Sequence, residues 1–278
     1  MIYKIESLVE VLFMLVHVDG TREIVEFDSI SEFTKYINTT PTNETFTGKT
    51  LSSMSTDRVG WYKTKSFEEA TDLIKHGWSE MSDKLTQRLN AETKYEPGLV
   101  KKNILDVSGY QPVVPLYLMG VPTCMVAKRN VIQKQKVITL NKSVNYSAGV
   151  SSDTVVDESI KALRIIRRLE AQNYRVNLNV VLGTVDDDKS YFIRVRVKSA
   201  GERLNISKLS FVLVHPSMLR RFFFRFIETY PNVPRGFLFG YGRPAGNSDT
   251  KSAFDGYLLP PKMGDIDKVR DLKDLECL

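Results

Sequence analysis

The sequence predicts an α/β protein built on an open, mixed sheet, and three observations carry that expectation. From Thr154, the stretch TVVDESIKALRIIRRLEAQ places Ile160, Leu163, Ile166 and Leu169 on one face at helical spacing. Two strands follow, YRVNLNVVLG and SYFIRVRVKS, joined by a turn that holds Asp186, Asp187 and Asp188. A strand, KVITLNKSVNYSAGV, precedes that helix, and a second helical segment, HPSMLRRFFFRFIETYP, comes after the strand pair. With the strand-like GFLFGY and DGYLLPP at the end, the order is β-α-β-β-α-β. A tight turn between the second and third strands then calls for one antiparallel strand in the sheet.

Length and composition agree with a folded domain. The chain has 278 residues, 42% hydrophobic and 26% charged, which is enough to bury a sizeable core and argues against wholesale disorder. The net charge of +6 is unevenly spread. Residues 1–100 carry −5, residues 101–251 carry +13 and residues 252–278 carry −2. A basic middle between acidic ends is the coarse footprint of a polyanion binder. Cys124 and Cys277 are too far apart in sequence for a disulfide framework or a zinc-ligand spacing, and His17, His76 and His215 are scattered. No nucleophile–base pair, metal set or paired carboxylates stand out, so the expectation is a protein that is not an enzyme and needs no cofactor.

Along the chain, three regions are expected: residues 1–100 as an N-terminal α+β region with a helical hairpin, 101–262 as a basic α/β core, and 263–278 as an acidic C-terminal tail or helix. MIYKIESLVEVLFMLVHV is apolar enough to be helix or strand. Its run from Val9 to Val18 is too short to span a bilayer and carries Glu10 and His17. Glu6 stands where a signal peptide would be basic. No membrane partner is therefore expected, and a cytosolic protein is. Asp19-Gly20 turns the chain into REIVEF, and Ser29 with Glu32 forms a capping box before EFTKYIN. Asn38 to Asp57, rich in Thr, Ser and Asn, reads as a long loop or a mobile linker. Ser66 with Glu69 forms a second capping box, with Gly77 placed to end the helix and a further helix starting near Ser79. ILDVSGYQPVVPLYLMGVPTCMVA, rich in proline and turn residues among β-formers, predicts short strands broken by turns. Pro216 suits the first turn of the later helix and Pro231 stops it. GDIDKVRDLKDLECL predicts a terminal amphipathic helix with Ile266, Val269, Leu272 and Leu275 on one face.

Several of these strings resemble known families. Trp61, Ser66-Phe67-Glu68-Glu69-Ala70 and Gly77-Trp78 resemble the signature of a family of uncharacterised bacteriophage proteins. DVSGYQPVVPLYLMGVPTCM and FVLVHPSMLRRFFFRFIETYP look like further blocks of it, so the likeness spans about three quarters of the chain. Size and basic middle are also similar to the single-stranded DNA-binding RNA polymerase cofactors of enquatroviruses. That likeness implies a single-stranded DNA-binding accessory protein for phage transcription or replication, working in the cytoplasm of the infected host cell. The strand order resembles the von Willebrand factor A arrangement, which binds a divalent metal through an Asp-x-Ser-x-Ser loop. Here that place reads Asn145-Tyr146-Ser147-Ala148-Gly149, so the likeness implies a lost metal site.

The candidate binding residues follow from charge. In the second strand of the pair, Ile193, Val195 and Val197 alternate with Phe192, Arg194, Arg196 and Lys198, giving one apolar and one cationic face. Lys161, Arg164 and Arg168 on the helix, Arg220, Arg221 and Arg225 on the next, and Tyr241 and Arg243 in a glycine-rich loop would extend that surface. A cationic track with interspersed aromatics suits single-stranded nucleic acid, DNA before RNA. An edge strand guarded by charge is the competing explanation. At the C-terminus, Ile266, Val269, Leu272, Asp274 and Leu275 would contact a partner such as a phage RNA polymerase or replication protein, or dock on their own domain. The alternative to nucleic-acid binding is a von Willebrand A-like interaction or scaffold protein.

Overall fold

A computed structural model of the chain describes residues 2–3, 14–43, 50, 52, 62–92, 101–130, 136–146, 150–186, 189–231, 241, 243–266, 269 and 272–277. Strands β1 (Ile2–Tyr3), β2 (Met14–Asp19) and β3 (Arg22–Phe27) lead to helix α1 (Ile30–Thr39), then α2 (Phe67–His76) and α3 (Ser79–Glu92). Next come β4 (Lys101–Asp106), β5 (Gln111–Pro112), α4 (Val114–Leu118) and β6 (Met125–Asn130). The predicted centre follows as β7 (Lys136–Ser143), α5 (Ser152–Ala171), β8 (Tyr174–Asp186) and β9 (Lys189–Lys198). Helix α6 (Ile206–Val214), a π-helical segment (Met218–Phe223) and α7 (Phe224–Thr229) precede β10 (Arg243–Pro244), α8 (Asn247–Ala253) and β11 (Tyr257–Leu259). A 3-10 turn, Asp274–Cys277, ends the described chain.

The main sheet is open and mixed, in the order β1-β2-β3-β9-β8-β7-β11, with β10 pairing β8. β7 runs parallel to both β8 and β11, β9 is antiparallel to β8, and β3 is parallel to β9. The expected mixed α/β architecture is therefore present. The sheet also crosses the expected division at residue 100, because β3 lies directly beside β9. Apolar residues from Val16 to Leu275 join one core.

Local chemistry explains the helix starts. Ser29, Ser66 and Ser151 each accept a hydrogen bond from the backbone N–H three residues on, at 3.1, 3.2 and 3.2 Å. Gly77 ends α2 with φ +83, and a Cβ there would lie 2.7 Å from the Ser207 hydroxyl, so both conformation and space demand glycine. Several expectations fall outside the described residues: Trp61, the turn at 147–149, the turn residues 187–188, most of the strand-like GFLFGY, and Gly240 and Gly242.

Packing on the two sides of the sheet differs. On one side Val180 and Leu178 of β8 share a core with the Ile160, Leu163, Ile166 and Leu169 stripe of α5, and Ile193 and Val195 of β9 belong to the same cluster. Next to it Phe27, Phe33, Tyr36, Phe223 and Phe226 form an aromatic cluster with ring centroids 5.2–6.1 Å apart. On the other side Phe192 and Val181 are covered by Ala245, Phe254 and Leu258. Where the periodicity suggests a helix, the described residues of the terminal segment form turns and a short 3-10 stretch. Ile266, Val269 and Leu275 are nonetheless buried in the main core, with Leu272 half-buried.

A buried lysine lies beneath the carboxyl end of β7. The Lys142 ammonium donates to the carbonyls of Pro260, at 2.6 Å, and Pro261, at 3.3 Å. Burial lowers its pKa from 10.5 to about 7, against the opposing pull of Glu158. Between those values the unfolded chain holds a proton that the folded chain has lost, so stability rises with pH across that window. Urea midpoints measured between about pH 7.5 and 9.5 are expected to rise with pH. Lys142→Met is expected to flatten the rise, and equal slopes for the two proteins would contradict the assignment.

Candidate functional site

The structure distributes the expected cationic surface over the interior and both sides of the sheet. Arg194 sits 2.5 Å from Glu26 and lies over the Phe254 ring, and Arg196 pairs with Asp28 at 3.3 Å. Lys198 is turned inward by a register shift opposite Leu178/Asn179, where Val197 is the extra residue on β9. It is buried, 2.8 Å from Glu170 of α5, and donates to the Val176 carbonyl. Phe192 is fully buried and packs edge-on to Phe254, so it has no open face to stack on a base. The alternation in the sequence is real, but α8 and the residues after it cover the face it was expected to expose.

The other expected contacts are also engaged internally. Lys161 donates to Glu158 and the Met263 carbonyl, and Arg168 donates to the carbonyls of Ile266 and Val269. The basic side of α5 thus holds the C-terminal segment in place, with Arg164 half-buried on the same helix. Ile266, Val269, Leu272 and Leu275 face their own domain, and Asp274 is half-buried in the closing turn. Arg221 has no exposed surface and donates to Thr64 Oγ1, the Thr64 carbonyl and the Ser52 carbonyl at 2.6–2.9 Å, with its guanidinium over Tyr62. Burial lowers the pKa of both Arg220 and Arg221. Arg225 donates to Thr42 and to the Ile37 carbonyl. Tyr241 is buried, stacked on Phe224, and donates to Glu228 at 2.5 Å. Of the set, Arg243 on β10 is exposed.

What stands out instead is the unit formed by residues 101–130. β4 pairs with β6 from Lys101↔Asn130 to Asp106↔Met125, and β5 pairs with β6 at Val126 and Met125. This three-stranded sheet is separate from the main one, and its described hydrogen bonds run within it. Six residues at about 3.4 Å each make it an arm about 20 Å long. Gly109 lies so close to β6 that a Cβ would come within 2.2 Å of the Val126 carbonyl oxygen. Across the arm Arg129 donates to Asp106 at 2.8 and 2.9 Å, and that contact, with the Val107 N–H, holds the carboxyl below its ordinary range.

The arm has almost no interior. From Lys101 to Arg129 only Ala127 is buried. Ile104, Leu105, Val107, Tyr110, Val114, Tyr117, Leu118 and Met119 are exposed, eight of the eleven large apolar side chains so placed among the described residues. Leu118 and Met119 at the tip are 78% and 72% exposed. Exposed patches of this kind mark interaction surfaces. Lys101, Lys102, Lys128 and Arg129 stand toward the other end, with the Lys128 ammonium 5.4 Å from the centre of the Tyr110 ring. The sequence signal was present, in three prolines and two glycines interrupting apolar residues that follow neither helix nor strand spacing. It gave the short strands but not their exposure.

These features define an open mixed-sheet α/β protein with a projecting, basic and apolar arm. The chain belongs to a family described as a domain of unknown function, DUF7192, whose model matches residues 10–274. No curated protein and no solved structure matches the chain. Among the described residues no helix is long and apolar enough to cross a membrane.

Because Lys198 and Glu170 form a partly buried pair, Lys198→Glu sets two carboxylates against each other. The expected cost is about 3–5 kcal/mol of stability, read from urea denaturation. An unchanged midpoint would return Lys198 to the surface.

Proposed function

We propose that the protein is a non-catalytic, phage-encoded accessory protein that binds single-stranded nucleic acid along its arm and brings it to transcription or replication machinery. The observation that carries this reading is the arm itself: lysines, an arginine and the exposed Tyr110 on the shaft, with an apolar tip that holds the exposed Tyr117 beyond them. Exposed rings give every base a stacking face and ammonium groups follow the phosphates, which is how sequence-tolerant single-strand binders work. Val114, Leu118 and Met119 have no use for a phosphate backbone and suit a protein surface. One element thus offers both contacts that such a cofactor needs. DNA as the strand, a phage RNA polymerase or replication protein as the partner, and the infected cell's cytoplasm as the setting come from the family resemblance.

The von Willebrand A-like reading of the body is supported by the strand order β9-β8-β7-β11, in which a β7-α5-β8 unit is followed by an antiparallel hairpin strand. Residues at the corresponding metal loop do not fit an ion. Asn145 spends its carbonyl oxygen on the Gly183 N–H, at 3.1 Å, and its amide on the Gly183 carbonyl, at 3.0 Å. No step of the proposed activity runs through a metal.

A second reading, an interaction protein with no nucleic-acid role, rests on the same apolar tip. The two separate by experiment. Fluorescence anisotropy with a labelled oligothymidine at low salt is expected to show binding that weakens with salt, with a slope of about −0.7 per phosphate neutralised. Lys101→Glu/Lys102→Glu/Lys128→Glu is expected to weaken binding at least about tenfold and to flatten the salt slope. Leu118→Asp/Met119→Asp is expected to keep oligonucleotide affinity and lose polymerase stimulation. A wild-type protein with no oligonucleotide affinity would remove the nucleic-acid reading and leave the interaction protein.

A further inference from the structure

A cavity of about 250 Å³ opens where β7 ends and α5 begins, walled on its far side by α6 and the π-helical segment. Val144, Val155, Val212 and Leu219 supply much of its wall. The charged side chains among its described lining residues are cations. Arg220, nine-tenths buried, and Lys63 bring two cations to it, and Ser151, the N-cap of α5, lies on its rim. Tyr146 also lines it, and the buried Tyr146 hydroxyl has no hydrogen-bond partner among the described residues. Burial raises the pKa of that phenol strongly, so it keeps its proton and can donate. His215 adds no charge: burial lowers its pKa to about 4, and Nδ1 accepts from the Ser217 N–H at 3.1 Å. No carboxylate is among the described lining residues. The nearby carboxylate that acts on Tyr146, Glu158, is held by Lys161 at 2.9 Å and by the Met263 N–H at 2.6 Å.

We infer that this cavity is a binding site for a small organic anion, its apolar body between Val155, Val212 and Leu219 and its acidic head toward Arg220, Lys63 and the Tyr146 hydroxyl. Two cations and a hydroxyl donor, with no acid among the described lining residues, select against a cation and give a neutral molecule of the same shape less. The apolar wall selects against a bare inorganic ion, which would leave most of the cavity dry and unfilled. Two features place these groups. Left-handed backbone at Lys63, φ 61, is uncommon for a residue with a Cβ and occurs most often where structure or function demands it. The π-helical segment supplies Met218, Leu219 and Arg220 together, and such segments recur at functional sites. The site is independent of the arm and of the nucleic-acid reading.

Thermal denaturation of the full chain with phenyl phosphate, benzoate, benzyl alcohol, benzylamine and inorganic phosphate tests the inference. Near ten times its dissociation constant, at least one aromatic anion is expected to raise Tm by about 3 °C. Benzyl alcohol, benzylamine and inorganic phosphate are expected to raise it by less than a third of that. Lys63→Ala, at an exposed position, is expected to reduce the anion shift, and Leu219→Trp to abolish it by filling the cavity while the protein still folds by circular dichroism. Equal shifts from benzylamine and benzoate, no shift from either aromatic anion, or an anion shift that survives Leu219→Trp would each overturn the assignment.

Discussion

Two buried charges on one helical stretch hold the distant parts of this chain together. Arg221, in the π-helical segment, donates to the Ser52 carbonyl, and Glu228, in α7, accepts from the Ser52 N–H and hydroxyl. One residue of the long N-terminal loop is thus gripped on both sides of its backbone. Arg221 also takes both oxygens of Thr64, while Glu228 takes the Tyr241 hydroxyl and offers its own carbonyl to the Asn43 N–H. Neither charged side chain has measurable exposure. In such surroundings each survives only with its partners, and loss of one leaves the other groups unsatisfied. The aromatic cluster around Phe223 and Phe226 packs on this same stretch, so polar anchoring and core packing coincide.

That arrangement explains what became of the basic surface. Charge of +13 over residues 101–251 suggests a displayed basic surface. Much of that charge is instead spent within the fold. Arg168 and Lys161 fix the C-terminal segment, Arg194 and Arg196 join β9 to acidic residues at and beyond β3, and Arg221 anchors loops. The acidic excess of residues 1–100 is its counterpart in part, through Glu26 and Asp28. Charge asymmetry along a sequence can be a folding device as well as a binding footprint. Of the described cations left outside in that stretch, Lys101, Lys102, Lys128 and Arg129 stand on the arm beside exposed apolar side chains, and the others, Lys136, Arg175 and Arg243 among them, are spread over the body.

The arm is unusual on energetic grounds. Residues 101–129, with one buried side chain, gain little from the hydrophobic effect to offset the order of three strands. Cross-strand hydrogen bonds, the Arg129–Asp106 contact and Gly109's close approach supply its geometry. Burial of Ile104, Leu105, Leu118 or Met119 against something else would supply the missing stabilisation. The energetics of this unit therefore favour association.

Residue patterns alone were enough for the frame. Capping serines at 29 and 66, the α5 stripe, the β8–β9 hairpin and the mixed sheet are local or periodic signals, and each appears in the structure. The tertiary structure decided which faces are covered. Nothing in the alternation of Phe192, Arg194 and Arg196 reveals that Phe254 and Leu258, some sixty residues later, lie over that face. Likewise Ile266, Val269 and Leu275 repeat as a helix would, but where they go is decided by the core they enter and by Arg168, which holds the carbonyls of Ile266 and Val269. Periodicity reports which residues avoid water or face one another locally. Whether a charged face meets solvent, an acid or a carbonyl depends on chain segments far away, and that information exists only once they are packed.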